Sequence, residues 1–197
     1  MAENRFSVRD LVVIITGAGQ GLGREYALAF AAEGAIPVLA ELNEANLNKV
    51  AGEIEAAGGK CLAIQTDVGD PDSTKSMAAK TIEAFGRIDV LINNAAVFAS
   101  LPQRPFDEIP FEEWNLVMQV NITGSYLCAS AVAPAMRAAG RGRIINVSSG
   151  TVPQGAPGFM HYVTSKSAII GMTRVLAREL SDHNVNVNTL MPGYTTT

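Results

Sequence analysis

"LVVIITGAGQGLG", residues 11–23, runs from β-favouring residues through a glycine-rich turn into a helical pattern. An apolar run this short, followed by Gly17, Gly19, Gly21 and Gly23, reads as a strand turning tightly into a helix. Glycines at 17, 21 and 23 permit positive φ, allow close backbone approach to a ligand and bring helix and strand together. The new helix then offers unpaired N–H groups and the positive end of its dipole to a pyrophosphate. A tight turn with no ligand would use the same residues, so the surrounding pattern has to decide.

That pattern repeats along the chain. Strand-like runs start at Leu11, Ile36, Cys61, Asp89, Arg143 and Val185, and helical segments start near Leu22, Glu44, Asp70, Glu112 and Tyr162. Such βα alternation predicts an α/β domain over residues 1–197 with a doubly wound parallel sheet, strand order 3-2-1-4-5-6. Ligands of these sheets lie beyond the carboxyl ends of the strands. The polar and glycine residues that follow the predicted strands, from Gly17–Gly23 through Glu41, Asp67, Asn94 and Ser149 to Pro192 and Gly193, therefore fall along one edge.

Glu41 closes the second strand 18 residues after Gly23, about where a dinucleotide site places a carboxylate for the adenosine ribose hydroxyls. A 2′-phosphate about 4 Å from that carboxylate would be repelled by roughly 4 kcal/mol per unit charge at an effective dielectric near 20. Gln20, Ala40, Leu42 and Asn43 are uncharged, and Arg24 reads as an exposed helical residue, so NAD is expected over NADP. Asp67 and Val68 are placed to hold the adenine edge, although Asp67 could equally start a turn or cap.

In "HYVTSK", residues 161–166, a tyrosine and a lysine stand one helical turn apart. At about 100° per residue, Tyr162, Lys166, Ile169, Leu176 and Leu180 share one stripe, with Arg174 and Arg178 well away from it. A lysine on the apolar face, beside a phenol, is suited to shifting that phenol toward the range of a general acid/base. Ser149, 13 residues before Tyr162, could bind the oxygen undergoing reaction, or could serve only as a turn residue. Ser148 would point to the opposite face. Asn121 shares a helical face with Val117 and Cys128 and needs a buried partner; it could bond a water, distort the helix or be a satisfied core amide.

Composition narrows the function classes. Hydrophobic residues make up 48% and charged residues 17%, with a net charge of −4, which fits a soluble globular protein without a basic nucleic-acid footprint. The amino-terminal segment lacks a signal pattern and "LVVII" is too short to span a bilayer, so a cytoplasmic protein without membrane association is expected. Cys61 and Cys128 read as buried thiols, and His161 and His183 lack partners at ligand spacing, so no metal is expected.

Together, "TGAGQGLG", Asp67–Val68, "NNAA" from Asn93, Asn121, Ser149, "YVTSK" and Pro192–Gly193 resemble the short-chain dehydrogenase/reductase family, with its Rossmann fold, along the whole chain. The resemblance implies Tyr162 as acid/base, with Lys166 lowering its pKa and binding the nicotinamide ribose. Ser149 would hold the substrate oxygen and Asn121 would position a water of the proton relay. It implies cofactor contacts at Gly17, Gly19, Gln20, Gly21, Leu22 and Gly23, at Glu41, Leu42, Asp67, Val68 and Asn94, and at Pro192, Gly193, Thr195 and Thr197, besides Tyr162 and Lys166. The activity implied is hydride transfer between a secondary alcohol or ketone and NAD. Two alternatives are a non-catalytic NAD-binding homologue and lyase or epimerase chemistry on the same fold. Where the family's fourth-strand motif ends in glycine, this chain has Ala96. The family's seventh strand and lid helices are missing, so the natural chain is expected to continue. A homodimer or homotetramer is expected by analogy, and Val97, Phe98, Val152, Pro153, Phe159 and Met160 suggest an aromatic or aliphatic substrate.

Overall fold

Every residue of β1 (Val12–Thr16) is buried, as a strand must be when both faces of its sheet are covered. The computed structural model of the protein describes residues 7–195. Six strands form one parallel sheet in the order β3-β2-β1-β4-β5-β6. β2 is Ile36–Glu41, β3 Leu62–Gln65, β4 Val90–Asn93, β5 Gly142–Val147 and β6 Val185–Leu190. This is the doubly wound α/β fold and the strand order that the sequence predicts. The winding direction reverses between β1 and β4, where the loops that follow the two strands part and open a crevice.

The intervening helices are α1 (Gly21–Ala32), α2 (Glu44–Ala56), α3 (Pro71–Phe85), α4 (Phe111–Met118), α5 (Gly124–Ala139), α6 (Thr151–Gln154) and α7 (Met160–Glu179). Local chemistry sets several starts. The Asn43 side chain accepts from the Asn46 N–H at the head of α2, and Asp70 does the same for Asp72 before Pro71 opens α3. Alternate residues of β1 divide between two cores. Val12 and Ile14 pack with Met77, Cys128, Val132 and Met136 of α3 and α5, and Val13 and Ile15 with Ala27, Leu47, Val50 and Ile54 of α1 and α2. On β6 only Val185 and Val187 are buried while Asn186 and Asn188 are exposed, the alternation of a strand covered on one face.

The structure departs from the sequence expectations at three places. The helix expected from Glu112 begins at Phe111 and is interrupted by a π-helical stretch, Gln119–Thr123, between α4 and α5. Cys61 precedes β3 and is only half-buried, in contrast to the buried Cys128. Arg24 is not a free surface cation: its Nη1 reaches Glu25, and its Nε donates to Glu53 Oε2 at 2.8 Å, which ties α1 to α2.

Candidate active site

The turn between β1 and α1 has no room for side chains. Gly17 and Gly21 have positive φ (64° and 53°), and a Cβ on Gly23 would run into the Gly17 carbonyl oxygen. A Cβ on Gly19 would come within 2.8 Å of Asn46 Cβ and Glu41 Cγ, because Glu41 folds back over the loop. Its Oε2 accepts from the Gly19 N–H at 3.0 Å and its Oε1 from the Asn43 N–H at 2.9 Å. Asn94 fastens the other side: its amide donates to Thr16 O at 2.9 Å, and the Asn94 and Ala95 N–H groups both donate to Thr16 Oγ1. The first backbone bond of α1 runs from Arg24 N to Gln20 O, so the N–H groups of Gly21, Leu22 and Gly23 have no helical acceptor. A side-chain-free cradle, a helix start with free donors and a carboxylate beyond it fit the pyrophosphate and ribose of a dinucleotide.

Beyond the turn lies a cavity of about 260 Å³. Leu22, Asn94, Ser149, Tyr162, Lys166, Pro192, Gly193 and Thr195 all line it, so residues predicted from far-apart stretches meet around one space. Tyr162 and Lys166 project from the first two turns of α7, both buried, with Lys166 Nζ 5.8 Å from the centre of the phenol ring. Lys166 donates to the Val147 carbonyl at 2.8 Å, and burial lowers its pKa to about 8. The phenol departs from expectation. Burial raises the Tyr162 pKa, opposed by a hydrogen bond from Ser149, and the lysine is not among the groups that shift it. Ser149 Oγ in turn accepts from the Thr151 hydroxyl at 3.0 Å and the Thr151 N–H at 3.2 Å. Ser148 lines the same cavity, and its hydroxyl donates to the Lys166 carbonyl at 2.8 Å.

Asn121 is fully buried within the π-helical stretch. Its Oδ1 accepts from the Val97 N–H at 2.8 Å, and its Nδ2 donates to Ser165 Oγ at 3.0 Å. Of the three readings the sequence left open, the amide is thus partnered within the protein and sits in a distorted helix.

The family model described as short chain dehydrogenase matches residues 11–197. The chain belongs to the short-chain dehydrogenase family. It is 38% identical over 193 residues to the short chain dehydrogenase/reductase astE of Aspergillus oryzae, covering 97% of this chain and 73% of that one. It is 37% identical over 183 residues to a 3-oxoacyl-(acyl-carrier-protein) reductase of Thermotoga maritima, covering 93% and 73%. Among solved structures, an NAD⁺-bound xylitol dehydrogenase superposes with a TM-score of 0.92 at 30% identity, covering 96% of this chain and 72% of that one. Members of the family are oxidoreductases that bind a nicotinamide cofactor, and this chain is one of them.

Other positions of this short-chain dehydrogenase fall less centrally. Gln20 is exposed and makes no side-chain cap, and Leu42 is exposed. The Asp67 carboxylate accepts from the Gly69 N–H at 2.8 Å, the turn-forming alternative, and Val68 is buried against Gly124. Thr197 lies outside the described residues. Of the apolar residues expected around the substrate, Phe98 lines the cavity and Phe159 packs behind it, with ring centres 5.6 Å apart. Val97, Val152, Pro153 and Met160 are not part of the lining, and Met160 is largely exposed. Thr151, Gln154 and Tyr194 line the cavity without having been singled out. Thr151 and Gln154 bound the four-residue α6 and Tyr194 follows β6, segments too short to show a period in the sequence.

Proposed function

We propose that this dehydrogenase interconverts a secondary alcohol and a ketone with NAD. The observation that carries the reading is the meeting of Tyr162, Lys166 and Ser149 in one cavity with Leu22 and Asn94 of the dinucleotide edge. A bound nicotinamide would supply the carbon that takes or gives the hydride. As the hydride leaves the alcohol carbon, the alcohol proton goes to Tyr162, and in the reverse direction Tyr162 returns it to the developing alkoxide. Ser149, already polarised by Thr151, binds that oxygen. Lys166, held against Val147, places positive charge under the phenolate, which a buried tyrosine needs in order to ionise.

Support for NAD over NADP comes from Glu41 and Arg24. Each Glu41 oxygen accepts one backbone N–H and keeps a second lone pair for a ribose hydroxyl. Arg24, the cation of the first turn of α1, is engaged by Glu53 and Glu25 and so is not free to neutralise a 2′-phosphate. The solved relative with NAD⁺ bound points the same way. Comparing kcat/KM for NADH and NADPH across a panel of aliphatic, aromatic and cyclic ketones tests both halves of the proposal. NADH is expected to lead by about 10²-fold or more, and equal values would defeat the assignment. Tyr162→Phe should lower kcat by about 10²-fold or more while NADH affinity stays nearly unchanged; retained turnover would refute the role of the phenol.

A further inference from the structure

His161 is completely buried one residue before Tyr162, and the proton chemistry above does not use it. Its Nε2 lies 3.2 Å from Glu113 Oε1, and the same oxygen lies 3.5 Å from Arg104 Nε. Three segments meet at that carboxylate: the first turn of α7, the first turn of α4, and the loop between β4 and α4. Neither contact has hydrogen-bond geometry, and the two imidazole nitrogens, Glu113 Oε1 and Arg104 Nε have no other hydrogen-bond partner among the described residues; taking such groups out of water is costly, so the arrangement calls for an account of what it holds in place.

What it holds is one end of the β4–α4 loop. The loop is pinned near its start, where the Val97 N–H donates to Asn121. It is pinned again where the Arg104 N–H donates to Gly158 O at 3.1 Å and Gln103 Nε2 to Pro157 O at 3.0 Å. Gly158 has φ +82°, and a Cβ there would overlap the Gln103 side chain, so the two loops are fitted closely. Between the pins, Phe98 leans on the Tyr162 ring, with centroids 4.3 Å apart and planes inclined at 32°.

We infer that Arg104, Glu113 and His161 form a positioning strut that clamps the β4–α4 loop to the start of α7 and thereby holds Phe98 as a cover over the Tyr162 phenol. The strut residues act through Phe98 and touch no reacting atom. The functional meaning of the cover rests on the reading of Tyr162 as the acid/base. The charged and polar groups that face the phenol are Lys166 from α7 and Ser149 from the loop after β5; the cavity lining holds no carboxylate among the described residues. The exposure set by Phe98 is therefore the adjustable part of the phenol's environment, since burial is what drives its ionisation upward.

The test needs neither substrate nor dinucleotide. Tyrosinate absorbance is titrated in each protein and in the same protein carrying Tyr162→Phe, so that the difference isolates Tyr162. Phe98→Ala should move the Tyr162 midpoint to lower pH by on the order of half a unit. Arg104→Met and Glu113→Gln should shift it in the same direction, and Arg104→Met combined with Phe98→Ala should give no more than Phe98→Ala alone. The Arg104 side chain is 37% exposed, so Arg104→Met carries the test even if Glu113→Gln does not fold. A midpoint unmoved by Phe98→Ala or by Arg104→Met, or effects of the two that add, would overturn the strut. Because the ionisation is read without turnover, the strut and the acid/base role of Tyr162 can fail independently.

Discussion

Lys166 brings an ammonium into a buried part of the protein, at the wall of the cavity. Burial lowers its pKa from 10.5 to about 8, and the single carbonyl of Val147 is the partner that it reaches. Below the folded value both the folded and the unfolded chain carry the proton, and the buried charge costs the fold about 3 kcal/mol. Between about 8 and 10.5 the unfolded chain holds a proton that the folded chain has released, so stability rises with pH across that window. Urea unfolding of the protein and of Lys166→Met, followed through the window, should show the difference between them changing by about 3 kcal/mol in favour of the lysine as pH rises. Parallel curves would mean that the ammonium is not buried as described. Placing such a cost beside Tyr162 is intelligible if the charge is needed there for chemistry.

The helix that runs from Phe111 to Ala139 is apolar and long enough to cross a membrane by length and composition alone. Here one side of it packs on the sheet through Cys128, Val132 and Met136, and the π-helical stretch breaks its regularity where Asn121 meets Val97 and Ser165. An inserted residue shifts the face of everything after it, and π-bulges concentrate at functional sites for that reason. Asn121 occupies the bulge and satisfies both the Val97 N–H and Ser165. Asn121→Leu would leave the Val97 N–H without its acceptor, at about 1–3 kcal/mol, and would take one donor from Ser165 Oγ, which keeps its bond to the Tyr162 carbonyl. A fall in Tm of roughly 6 °C or more is expected for a chain of this size, together with faster hydrogen exchange at Val97. A Tm within about 2 °C of the parent protein would show that the amide is not what holds the loop.

Across the whole molecule, the apolar surface left uncovered is informative. Phe111 and Leu116 of α4, Tyr126 of α5 and Val175 of α7 are large side chains more than half exposed, and α4 and α7 touch one another. We propose that these helices pair with a second copy, giving a homodimer or homotetramer. Light scattering of the protein should return a multiple of the 20.8 kDa chain mass, and Leu116→Glu with Val175→Glu should return the monomer. A monomeric parent protein at micromolar concentration would end that proposal.

The sheet was legible because its signals are local and periodic. Unbroken apolar runs at β1 and β4 and alternation at β6 each follow from a few neighbouring residues. So does the glycine turn, where only the absence of side chains lets α1 begin against Gly17. The pairing of Tyr162 with Lys166 was legible for the same reason, since a helix fixes which residues share a face. Three-dimensional packing alone decided the rest. It turned Glu41 onto the glycine loop, tied Arg24 to Glu53, opened the π-bulge around Asn121 and raised the phenol's pKa where a neighbouring cation had suggested the reverse. It also brought Arg104, Glu113 and His161 together from three segments. No period or motif in the chain announces those contacts, because each depends on how much water the folded protein leaves around a charge and on which distant residue replaces it.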